Sequence, residues 1–96
     1  MELKPSKESR LDILEKEDVK VSLSCKVILY NDDWHTFDEV IFQLIKALGC
    51  TYEKARACAF EVHVKGCCVV FNGDMKECLK VSSVLEEIAL NTQIIT

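Results

Sequence analysis

Tyr30-Asn31-Asp32-Asp33-Trp34-His35-Thr36-Phe37 crowds two carboxylates and an amide acceptor between an apolar run and a helix start. The residues before the turn, Val27-Ile28-Leu29-Tyr30, form a short apolar, β-prone run that suits a buried strand. After it, Thr36 and Glu39 stand at capping-box spacing, so an amphipathic helix opens there. The acidic turn is thereby pinned at both ends, and acceptor oxygens held in a fixed turn can capture a cation. His63, late in the next helical segment and beside Val62, is the polar group a neighbouring helix can present to the same pocket.

Beyond this turn the pattern predicts strand, helix, helix, strand, helix, strand. Phe37, Val40, Ile41, Leu44 and Leu48 recur with helical period and Gly49 suits the C-terminal cap, leaving Asp38, Gln43 and Lys46 for the outer face. Thr51 can cap a second helix whose stripe is Tyr52, Ala55, Cys58, Ala59 and Val62, with Gly66 as its stop. Cys67 to Phe71 is a β-prone run, Asn72-Gly73 is a turn signal, and Asp74 with Glu77 caps a third helix expected from Met75 to about Leu90. Gln93-Ile94-Ile95 fits a closing strand. The expected fold is α+β, a small three-stranded antiparallel sheet packed against three helices in the order β-α-α-β-α-β.

Composition narrows the function. A chain of 96 residues has room for one small domain, and a net charge of -4 argues against a nucleic-acid partner. No apolar run approaches the roughly 20 residues a membrane span needs, and nothing resembles a signal peptide, so the expected location is the cytoplasm. In that setting the six cysteines are expected as free, mostly buried thiols. Residues 1–24 mix Lys, Glu, Ser and Asp with the sole proline, Pro5, and show no sustained period, which reads as a flexible N-terminal extension. A short helical turn at Leu11–Leu14 fits that stretch, and the folded part is expected to begin near Lys20, with the domain proper over 25–96.

Asn31-Asp32-Asp33 after an apolar strand, the later Val62-His63 pair, and Gly66 followed by a β run together resemble the ClpS family, whose members are adaptors delivering N-degron substrates to the Clp protease. The resemblance covers roughly Lys26 to Ile95. The type-2 recognition domain of eukaryotic N-recognin ubiquitin ligases shares the fold, and His35-Thr36-Phe37-Asp38 resembles that branch. The resemblance implies that Asn31, Asp32 and His63 bind a substrate's free N-terminal amine. It also implies that Ile28, Phe37, Ala59 and Val62 wall an apolar pocket for a first side chain of Leu, Phe, Tyr or Trp. Phe37 and Ala59 stand where many bacterial members carry methionine, and His35-Thr36 replaces a common Thr-Pro. The implied partner is the N-terminal domain of a ClpA- or ClpC-type AAA+ unfoldase, met by a monomer, with the extension taking part in handover and Lys80 as a docking position. No cofactor is implied.

Each residue also has a plainer reading. Asn-Asp-Asp is ordinary turn chemistry, His63 a satisfied imidazole, Trp34 a solvent-edged packing residue, Lys80 a solvated lysine, and Phe37, Ala59 and Val62 core. It is their order that favours recognition. A zinc site is disfavoured because Cys67 and Cys68 point to opposite faces of a strand and no Cys-x-x-Cys occurs. A cysteine hydrolase requires a thiolate beside His35 or His63, and no nucleophile signature or phosphate-binding glycine loop accompanies them. The remaining alternatives are an N-degron domain of a ubiquitin-ligase pathway and a generic interaction module.

Overall fold

The computed structural model describes residues 24–96. The extension up to residue 23, with the turn at Leu11–Leu14 and the start near Lys20, lies outside the described residues.

Along β1 (Cys25–Tyr30), Cys25, Val27 and Leu29 are buried and alternate with exposed Lys26 and half-buried Ile28 and Tyr30. A period of two turns one face to the core. β1 is the central strand, flanked by β2 (Cys67–Gly73) and β3 (Asn91–Ile95), both antiparallel to it, in the order β2-β1-β3. The helices α1 (Phe37–Leu48), α2 (Tyr52–Lys65) and α3 (Met75–Glu86) complete the predicted α+β succession. α3 packs on all three strands and α2 on β2, while α1 rests across α2 and α3. Ile41 and Leu44 of α1 meet Ala55, Cys58, Ala59 and Val62 of α2, and Cys78, Val81 and Leu85 of α3, in one core with Val27, Leu29, Cys68 and Val70. The small residues of α2 let its backbone approach closely.

Each helix begins as the sequence predicts. The side chains of Thr36, Thr51 and Asp74 accept from the backbone N–H of Glu39, Lys54 and Glu77, and Glu39 returns the bond to the Thr36 N–H. α1 and α2 stop at Gly49 and Gly66, whose φ values of 66° and 90° are the left-handed conformation a glycine adopts without strain.

Four details differ from expectation. Gln43 is buried, not outward, because its amide donates to the Val84 carbonyl at 2.6 Å and joins α1 to α3. Tyr52 is exposed, since it precedes the point where α2 reaches its neighbours. Asn72-Gly73 is not a turn: the two residues pair with Lys26 and Cys25, so β2 runs straight into the Asp74 cap, after a bulge at Val70. α3 ends at Glu86, not near Leu90. Ala89 takes φ 63°, its N–H donates to the Glu86 carbonyl and the Leu90 N–H to the Leu85 carbonyl, which is the bond pattern of a Schellman stop. The buried pair Leu85 and Leu90 supplies its apolar contact, and β3 begins at once.

Candidate functional site

The segment from Asn31 to Thr36 crosses from the end of β1 to the start of α1. At its first residue the Asn31 N–H donates to the Gly66 carbonyl at 2.9 Å, tying the loop to the cap of α2. His63 lies one helical turn before that cap, so the same bond draws the loop and the imidazole to one place. Asn31, Asp32, Asp33, His35, Thr36 and His63 line a cavity of about 420 Å³, whose remaining wall is Phe37, Val40, Ala59 and Val62. The lining thus combines acceptor-bearing side chains with hydrocarbon ones.

Asp32 is the most constrained residue in the loop. Its Oδ1 accepts from the backbone N–H of Trp34 and of His35, each at 3.0 Å, and its Oδ2 meets His35 Nδ1 at 2.8 Å. Burial on its own raises the carboxyl pKa, but the bonds from the His35 backbone and ring and from the Trp34 backbone, with the charge of His35, outweigh it and hold Asp32 below its ordinary value. The group stays an anion with its geometry set in advance.

His35 supplies the other half of that constraint. Its Nε2 lies 2.5 Å from the Ile88 carbonyl, at the end of α3. A carbonyl only accepts, and so does an ionised carboxylate, so the two contacts are hydrogen bonds together only when both ring nitrogens carry hydrogen. Burial pulls the imidazole pKa down; the Ile88 carbonyl, the Asp32 carboxylate and Glu39 overcome this and leave it raised.

The apolar wall comes from two helices. Phe37 and Val40 stand one turn apart on α1, and Ala59 and Val62 one turn apart on α2. Phe37 is 38% exposed, so its ring is free to meet a ligand, and the Arg56 guanidinium lies 5.9 Å from its centroid. Ile28 does not belong to this wall. With Val27 and Leu29 turned inward, strand alternation sends Ile28 to the open face of the sheet, opposite Val69 and Gln93, and it does not line the cavity. Lys80 is exposed on α3. Trp34 is 84% exposed and borders a second hollow with His35, Glu39, Ile88 and Ala89.

Sequence reasoning missed Asp33, His35, Thr36 and Val40 as members of the site. Val40 was available from its spacing to Phe37. The Asp32-to-His35 bond was available from the three-residue interval, but Ile88, 53 positions away, was not.

The buried thiols of Cys68 and Cys78 are poor nucleophiles. Cys25, Cys58, Cys68 and Cys78 are buried. Burial, with the neighbouring Cys58 and Glu61, pushes the Cys68 thiol up to about 12, and burial with Cys25 nearby raises Cys78. Among the described residues, no three His, Cys, Asp or Glu side chains gather where a metal ion could sit, and no helix is long and apolar enough to cross a membrane.

A family described as ATP-dependent Clp protease adaptor protein ClpS matches residues 20–93. The human E3 ubiquitin-protein ligase UBR2 is 35% identical over 75 residues, which are 78% of this chain and 4% of the ligase. The ATP-dependent Clp protease adapter protein ClpS of Nitratidesulfovibrio vulgaris is 34% identical over 68 residues, 69% of this chain and 65% of the adapter. The chain therefore spans a small fraction of the ligase and just under two thirds of the bacterial adapter. Among solved structures, Agrobacterium tumefaciens ClpS2 bound to L-phenylalaninamide shares the fold, with a TM-score of 0.67 and 21% identity over 74% of this chain and 93% of that one.

Proposed function

Because this chain belongs to the family of the ATP-dependent Clp protease adaptor ClpS, we propose that it is a non-enzymatic receptor for the free N-terminal amine and bulky first residue of N-degron substrates. The observation that carries this reading is the single cavity lined by both acceptor and apolar side chains. An N-terminal ammonium is a cation with hydrogens to donate, and Asn31, Asp32 and His63 offer acceptors in the lining of the hollow. A Leu, Phe, Tyr or Trp side chain then lies against Phe37, Val40, Ala59 and Val62. L-phenylalaninamide, the ligand of the Agrobacterium ClpS2 structure, joins a free amine to such a side chain.

In this reading the substrate passes to the N-terminal domain of a ClpA- or ClpC-type AAA+ unfoldase, with Lys80 as a contact and the chain acting as a cytoplasmic monomer. A second reading keeps the recognition site and places it in a ubiquitin-ligase pathway, which the similarity to UBR2 favours. Pull-down with each partner class separates the two.

Recognition itself is tested with peptides that vary the first residue and carry a free or acetylated amine. Saturable binding of free Leu, Phe, Tyr or Trp starts, with no cleavage, is expected. Charge-assisted bonds contribute about 1.5 to 3 kcal/mol each, so acetylation or Asp32→Ala weakens binding by about 10-fold or more. Equal affinity for acetylated peptides, or turnover of fluorogenic peptides, overturns the reading.

A further inference from the structure

His35 joins two elements that the binding loop alone does not connect. One ring nitrogen holds the Asp32 carboxylate and the other meets the Ile88 carbonyl, which lies at the stop of α3. That carbonyl is among the groups a helix leaves without an internal partner, and the negative end of the helix dipole favours a cation there. The next residue, Ala89, is held at φ 63°, a conformation that costs a residue with a side chain, so packing of Leu85 and Leu90 locks the turn that offers the carbonyl. His35 is well shielded, with 12% of its side-chain surface exposed.

We infer that His35, as an imidazolium spanning Asp32 and the Ile88 carbonyl, is a positioning residue that makes amine recognition at Asp32 depend on its own protonation. The inference rests on the recognition reading above and deepens it. The neutral ring has one hydrogen for two acceptors, so loss of a proton must break the link to Asp32 or the link to Ile88. Either break loosens the carboxylate that lines the cavity. The charged groups facing His35 are Asp32 from its own loop and Glu39 from the first turn of α1. Asp33 and His63 share the cavity lining, and the stop that follows α3 contributes the Ile88 carbonyl to its bonds. A neutral glutamine reaches one acceptor at a time and does not titrate.

The test follows affinity for a free-amine Phe-start peptide from pH 5.5 to 9, in the wild-type chain and in His35→Gln. The peptide amine itself loses its proton toward the upper end, which weakens both proteins alike. The difference between the two profiles isolates His35. The wild type is expected to bind about 10-fold more tightly than His35→Gln at low pH, and this advantage is expected to shrink as His35 deprotonates. In parallel, nitrogen NMR of the wild-type imidazole, which needs no variant to fold, is expected to show both ring nitrogens protonated at pH 6.5. Superimposable profiles, or a neutral His35 ring at that pH, overturn the inference and leave the recognition reading standing. A wild type that does not bind the free-amine peptide overturns the recognition reading and the positioning role with it, whatever the ring's protonation.

Discussion

At Asp32 and His35 a pair of shielded charges sets both geometry and acid–base behaviour. The Asp32 carboxyl is held below its ordinary 3.8, so the stability it adds is present above that value and is lost as pH falls through its folded value. The His35 imidazole is raised above its ordinary 6.5, so its contribution is complete below 6.5 and is lost as pH rises through its folded value. The two ranges overlap between the ordinary values, where the pair supports the fold most. Denaturant midpoints measured from pH 3 to 9 are expected to fall at both ends relative to the double variant Asp32→Asn, His35→Gln. A constant difference between the two proteins across that range contradicts the charged pair.

At the scale of elements, the ends of helices matter more than their middles. Thr36 starts α1 at the far edge of the binding loop, Gly66 closes α2 where its carbonyl takes the Asn31 N–H, and the stop of α3 presents Ile88 to His35. Three caps therefore anchor the binding loop. Ala89 occupies the left-handed position of the last stop, where glycine is free of side-chain strain. Ala89→Gly is expected to stabilise the fold by about 0.5 to 1 kcal/mol, the relief of strain exceeding the added freedom of the unfolded chain. Thermal melts read this as an upward shift of several degrees for a domain of this size. A downward shift means that the Ala89 methyl group contributes packing that exceeds its backbone cost.

At the scale of the whole molecule, one thin core supports the cavity, since α1 reaches the sheet chiefly through α2 and α3. Leu44 is fully buried in α1, so Leu44→Ala is expected to cost about 2 to 5 kcal/mol, a large share of the roughly 5 to 15 kcal/mol that holds a domain together. Urea denaturation checks it, and a loss under 1 kcal/mol indicates that the helices close over the gap. Six elements, their order and their three N-caps were legible in the chain, because period and capping are local and need no distant partner. The grouping of Asn31 and Asp32 with His63 was suggested by motif order, and the fold brings these residues to one cavity through the Asn31 to Gly66 bond. Gln43 turned inward, Ile28 turned to the open face, and His35 gained a second partner at Ile88 for reasons no local pattern carries. Those outcomes depend on which segments meet across the core, and a side chain's environment is set by that meeting.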